Sequence, residues 1–180
     1  MDMKLFLIRH TSVAIDPGIC YGQSDADVAL TFEEELKAVA TAIRGKNIGI
    51  VFSSPLTRCR KLAESLFPSK KIVYDERLKE LNFGDWEMQS WEDIYHLPEG
   101  KKWMDNYQKL PTLNGESYPE MAVRVKSFYE EVKLLHHKNV AIVNHAGVIR
   151  ILKSIIENVP IAELFETFKP AYGSVAEFDI

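Results

Sequence analysis

Four short apolar runs, spaced by stretches of helical length, constrain this chain more than any other feature. Lys4 to Arg9 carries Leu5, Phe6, Leu7 and Ile8 in a row. Asn47 to Ser53 carries Ile48, Ile50, Val51 and Phe52. Lys71 to Tyr74 is a shorter run, and Asn139 to Asn144 carries Val140, Ala141, Ile142 and Val143. A strand with one wet face alternates apolar and polar residues. A continuous apolar run instead predicts a strand covered on both faces, as in a parallel sheet.

The intervening stretches supply the cover. Leu36, Val39, Ala40 and Ile43 share one helical face, with Thr31 and Glu34 read as a capping box and Gly45 as a stop. Ser54-Pro55 is read as the start of a helix striped by Leu56, Cys59, Ala63 and Leu66. Ser117 and Glu120 form a second capping box ahead of Met121, Val125, Phe128, Val132 and Leu135. A last helix runs through Ile149, Leu152 and Ile156 and ends before Pro160, and Ser174 to Ile180 reads as a final strand. Strands alternating with helices imply a three-layer α/β/α sandwich with a mostly parallel central sheet. The whole of 1–180 reads as one domain. Residues 85–115, with Trp86, Trp91, Tyr95, Trp103 and Tyr107, read as an irregular insertion covering a site.

Composition excludes several classes. A net charge of -4 argues against a nucleic-acid binder. No run reaches the length of a membrane span, and Leu5 to Ile8 is too short for the apolar part of a signal peptide. The two cysteines, Cys20 and Cys59, make neither a C-x-x-C pair nor a disulfide framework. The expectation is a cytoplasmic protein without metal or other cofactor, whose partner is a small phosphorylated substrate rather than a nucleic acid or a membrane.

That substrate class comes from the strand ends. In open α/β sheets ligands bind beyond the carboxyl ends of the strands. Here those ends read Arg9-His10-Thr11, then Ser53-Ser54-Pro55 with Arg58 and Arg60 following, then Asn144-His145-Ala146-Gly147. Arginine forks match phosphate oxygens in pairs, and helix N-termini attract anions. A histidine among arginines loses its proton easily, and a neutral imidazole can take a phosphoryl group covalently. The arginines would then supply the positive charge that magnesium supplies in many phosphotransferases. His96, His136 and His137 lack such a setting and read as surface residues.

These residues carry a resemblance. Arg9-His10-Thr11, the segment Ser53 to Glu64, the segment Leu78 to Glu87 and the segment Asn144 to Arg150 resemble, in order, four motifs of the histidine phosphatase superfamily, the phosphoglycerate mutase-like proteins. The resemblance covers nearly the whole chain. It implies that His10 forms a phosphohistidine and that Arg9, Arg58 and His145 bind phosphate. It further implies that Glu80 protonates the leaving oxygen and then activates water. Ala146, from the fourth motif, and Gln23, from the segment Gly18 to Asp25, join the phosphate- and substrate-binding set. Thr11 replaces the usual glycine of the first motif, and Asn144 the usual serine or threonine before the second histidine. Asp16 stands where many members carry an asparagine, and its charge would repel phosphate.

Arg9 to Val13 and Gly18 to Asp25 are similar to the α-ribazole phosphatases of cobalamin nucleotide-loop assembly. That similarity implies α-ribazole 5′-phosphate, or the cobamide 5′-phosphate, as substrate. At least one of Trp91, Trp103 and Tyr107 is then expected to touch the substrate's base. The alternatives are a broad-specificity small-molecule phosphatase, a phosphoglycerate mutase, and a non-catalytic phosphoprotein-binding relative.

Overall fold

The computed structural model describes residues 3–180. Four runs become the parallel part of a five-stranded sheet: β1 (Lys4–Arg9), β2 (Ile50–Ser53), β3 (Ile72–Tyr74) and β4 (Asn139–Asn144). A fifth strand, β5 (Val175–Asp179), lies antiparallel on β1, and the order across the sheet is β3-β2-β4-β1-β5. β4 therefore stands between β1 and β2. Arg9 pairs with Asn144 and Ser53 with Val143, so the three strands end level.

Alternation along the buried strands divides the core. Leu5, Leu7, Val140 and Ile142 face one side, against α5 (Tyr118–Val132) and α6 (Ala146–Glu157). Phe6, Ile8, Val51, Ala141 and Val143 face the other, against α1 (Phe32–Ala42) and α2 (Thr57–Leu66). Leu5 to Ile8 are almost wholly buried. Each contributes about 1.5–3 kcal/mol by leaving water, which accounts for a run without a polar side chain. The result is the expected three-layer sandwich.

Several local expectations are corrected. Thr31 has helical backbone angles and caps nothing; its hydroxyl instead donates to Glu35 Oε1 (2.6 Å), and Glu35 Oε2 accepts from the Ser12 amide (2.9 Å). Here an ion-like acceptor four residues on outcompetes the backbone. α2 begins at Thr57 rather than at Ser54-Pro55. Its first turn is held from outside by Asp25, whose carboxylate accepts from the Thr57 amide (2.7 Å) and hydroxyl (2.8 Å). The Ser117–Glu120 capping box forms as read. Residues 85–115 are not irregular throughout: they hold α3 (Trp91–His96), started by Ser90, and α4 (Pro98–Met104). Both helices are too short for a periodicity to show. α7 (Ile161–Thr167) follows Pro160 and was likewise invisible. Among the described residues no helix is long and apolar enough to cross a membrane.

Candidate active site

Because the strands end level, His10, Ser54 and His145 leave the sheet side by side. The His10 amide donates to the Asn144 carbonyl (3.0 Å) and the Ser54 amide to the Val143 carbonyl (2.9 Å). The two imidazoles meet edge to face with centroids 5.1 Å apart. Both are buried, His10 at 2% exposure and His145 at 0%.

His10 Nδ1 lies 2.7 Å from the Thr11 carbonyl. A carbonyl only accepts, so Nδ1 carries the proton and the neutral ring keeps a lone pair on Nε2. Burial, with Arg58 and Arg9 alongside, holds the imidazole well below its usual pKa of 6.5. Burial and Arg58 do the same for His145. Thr11 thus serves the site through its backbone oxygen, which any residue offers, and this accounts for a threonine in place of glycine. Asp16 is exposed, with its carbonyl taken by the Ile19 amide.

Two arginines flank the nucleophile candidate, each fastened by its edge. Arg9 Nη1 donates to the Pro170 carbonyl (2.7 Å), and its guanidinium lies 3.9 Å from the centre of the Tyr172 ring. Arg58, wholly buried, donates to the carbonyls of Ser24 (2.9 Å) and Gly22 (2.6 Å). The Nε atoms of both arginines are buried without a partner among the described residues, so each retains a donor for an oxyanion. Arg60 is exposed on α2 and does not join them. The Tyr21 ring covers Arg58 at 5.3 Å, and the Tyr21 and Tyr172 hydroxyls hydrogen-bond to each other, forming a roof over the cations.

Glu80 enters from the opposite wall. Its Oε2 accepts from the Gly147 amide in the first turn of α6 (3.1 Å), and its Oε1 from its neighbour Leu81 (3.0 Å). Gly147 is needed for this contact: a Cβ there would lie 2.2 Å from Glu80 Oε1. Arg9, His10, Arg58 and Glu80 line one cavity of about 160 Å³, together with Tyr21, Phe83, Trp91 and Tyr118. His145 stands next to His10, its Nε2 2.8 Å from Ser54 Oγ. Ala146 opens α6, where a backbone N–H has no acceptor within the helix.

Gln23 lies elsewhere. Its side-chain Nε2 donates to the Glu80 carbonyl (3.0 Å), and it lines a separate cavity of about 400 Å³ with Asn82, Glu116 and Arg124. The aromatic cluster also sorts itself. Trp86 is core, at 1% exposure, and Tyr95 is exposed. Trp103 donates its indole N–H to the Leu110 carbonyl (3.1 Å) and stacks behind Trp91, with centroids 6.1 Å apart. Tyr107 packs on Phe165. Only Trp91 of the expected three reaches the histidine cavity, and Phe83, Tyr118 and Tyr21 reach it unexpectedly.

Sequence reasoning also missed Glu87. Its carboxylate accepts from the amides of Gly22, Gln23, Ser24 and Phe83, at 2.8–3.1 Å. Burial opposes its charge, but the bonds from Ser24, Gln23 and Gly22 outweigh burial and hold it below the usual carboxylate range. It fixes the loop whose carbonyls hold Arg58. Gly22 marks the close approach that Glu87 braces, since a Cβ there would sit 1.9 Å from the Leu81 carbonyl; no pattern in the sequence pointed to it.

Three level strand ends thus bring two histidines, two anchored arginines and a carboxylate together, a set whose chemistry suits a phosphoryl group. The sequence profile described as "Histidine phosphatase superfamily (branch 1)" matches residues 5–180; the chain belongs to that family and is a phosphatase of it. The Escherichia coli (strain K12) adenosylcobalamin/alpha-ribazole phosphatase is 27% identical over 185 residues, covering 99% of this chain and 90% of that protein. Phosphoserine phosphatase 1 of Hydrogenobacter thermophilus is 26% identical over 169 residues, covering 91% and 80%. The crystal structure of the alpha-ribazole phosphatase from Shigella flexneri superimposes with a TM-score of 0.91 at 25% identity, covering 99% of this chain and 91% of that one.

Proposed function

We propose that this phosphatase hydrolyses its ester through a phosphohistidine on His10, and that its substrate is α-ribazole 5′-phosphate or the corresponding cobamide 5′-phosphate. The observation that carries the chemistry is the Nδ1–Thr11 hydrogen bond of His10, which leaves Nε2 as a neutral nucleophile between two arginines. In this reading Arg9 and Arg58 hold the non-bridging oxygens, and His145 and the Ala146 amide add donors as negative charge shifts during transfer. Nε2 attacks phosphorus in line with the ester oxygen, and Glu80 gives that oxygen a proton as the P–O bond breaks. Glu80, now a carboxylate, takes a proton from water, which displaces phosphate from His10. Two in-line displacements return the starting configuration at phosphorus.

The substrate assignment rests on the cavity wall. Trp91, Phe83, Tyr118 and Tyr21 surround the cations with flat apolar surface, and Trp91 is braced from behind by Trp103. Such a wall suits an aromatic base and offers nothing obvious to the charged backbone of phosphoserine. The relatives named for adenosylcobalamin and α-ribazole support the same reading. The test is phosphate release from α-ribazole phosphate, phosphoserine, 3-phosphoglycerate and simple sugar phosphates. The expected result is a kcat/KM for α-ribazole phosphate at least about tenfold above the others, the worth of one good pocket contact. Trp91→Ala should reduce that margin while leaving p-nitrophenyl phosphate little changed. Equal rates across the panel would replace the assignment with a broad-specificity phosphatase, and transfer between phosphoglycerates without phosphate release would replace it with a mutase.

A further inference from the structure

We infer that Arg124, locked to Glu116, is the positioning residue that aims Glu80 at the leaving oxygen. The inference rests on the reading of Glu80 as proton donor and extends it to residues outside the cavity that holds His10.

Glu80 sits on backbone that belongs to neither helix nor strand, between a 3-10 turn (Glu76–Leu78) and another (Gly84–Trp86). Such a segment has no ladder to hold it, and its carbonyls need partners from elsewhere. Arg124, on α5, supplies them. Its Nη1 donates to the carbonyls of Arg77 (2.7 Å) and Lys79 (2.7 Å), and its Nη2 to that of Glu80 (3.0 Å). Its remaining donors go to Glu116: Nε to Oε1 (2.7 Å) and Nη2 to Oε2 (2.8 Å). A guanidinium has five N–H donors in a fixed plane, and all five are used. Arg124 therefore has no donor left for a substrate anion, although it is cationic and lies beside a cavity.

Glu116 closes the cradle from the other side. Its amide donates to the Asn82 carbonyl (2.8 Å), and Oε2 accepts from the Asn82 amide (3.3 Å). Gln23 adds a second donor to the Glu80 carbonyl. The backbone is thus gripped before, at and after Glu80. Among the described residues, the carboxylate itself has only the Gly147 and Leu81 amides to direct it. Rotation of the 79–82 backbone would carry it off the ester oxygen, and a displacement of about 1 Å can cost about a hundredfold in rate. Lysine at 124 would keep the charge but lose the planar fork, so it could not bridge a carboxylate and three carbonyls together.

The experiment compares kcat/KM for an alkyl phosphate, which needs a proton on its leaving oxygen, with p-nitrophenyl phosphate, which does not. Arg124→Lys is measured alone and in a Glu80→Gln background, with Glu116→Gln as a second variant that loosens the same cradle should the first fail to fold. The expected result is a loss of about tenfold to a hundredfold on the alkyl ester and within about threefold on the aryl ester. In the Glu80→Gln background the selective loss should vanish. Equal losses on both esters, or full additivity with Glu80→Gln, would overturn the positioning role. Glu80→Gln alone tests the underlying reading: if it costs the alkyl ester no more than the aryl one, the proton-donor assignment fails, and the inference about Arg124 falls with it.

Discussion

At the scale of single residues the site depends on which atoms are already occupied. His10 spends Nδ1 on a carbonyl, and burial beside two arginines disfavours a second proton. We therefore predict that His10 and His145 both remain neutral in slightly acid solution. 15N NMR of the imidazoles near pH 6 should show neutral rings, where an ordinary imidazole with a pKa of about 6.5 is mostly protonated. A titration midpoint at or above that value for either ring would contradict the prediction. Gly147 makes a second case. In Gly147→Ala the new methyl meets the end of the Glu80 side chain, which can swing aside. The fold should survive with a loss under about 1 kcal/mol, while kcat/KM for alkyl phosphates falls about tenfold or more through the displaced acid. A variant with unchanged kcat/KM would mean that Glu80 works from another position.

At the scale of elements the two capping boxes read from the sequence have opposite outcomes, and this gives a paired prediction. Ser117→Ala should cost about 1 kcal/mol, because both reciprocal bonds with Glu120 are present. Thr31→Ala should cost under about 0.5 kcal/mol, because Thr31 is exposed and its hydroxyl bonds the Glu35 carboxylate instead of the backbone. Urea unfolding of the two variants measures the difference, and equal losses would refute it. The same pair shows what was legible in the sequence. Buried strands and long helices announce themselves by pattern, so β1 and β4 fall where they were read, to the residue. Caps do not, because a serine or threonine followed by a glutamate has several partners to choose from. Short helices such as α3 and α4 give less than two turns of pattern and were read as irregular. The histidines and arginines were legible because strand ends gather at one edge of the sheet. Trp91 was one of five aromatics that only tertiary packing could separate. Glu87 and Arg124 were not legible, since most of their partners are backbone groups far along the chain.

At the scale of the whole molecule, the two buried histidines set an acid response. Folded, each holds its pKa well below 6.5; unfolded, each returns to about that value. Well above that pH neither state binds the extra proton and the histidines add no slope. Below it the unfolded chain takes up protons that the folded chain refuses, so stability falls as pH falls. The loss is up to about 1.4 kcal/mol per pH unit for each histidine. Glu87, whose pKa is lowered in the fold, adds a further loss at more acid pH. Urea unfolding between about pH 7 and about pH 5 should show the decline, and a flat profile across that interval would rule it out.

The turn ahead of β5 closes over the residues that follow β1. The Arg9 amide donates to the Ser174 carbonyl, the Gly173 amide donates to the His10 carbonyl, and Tyr172 lies on the Arg9 guanidinium. Residues of β1 and of the turn ahead of β5, 161 positions apart for Arg9 and Pro170, thus meet around one guanidinium. A substitution that disturbs the 170–174 turn is therefore expected to weaken phosphate binding with His10 and the strand it follows left intact, so the turn sets the aim of a cation it does not itself carry.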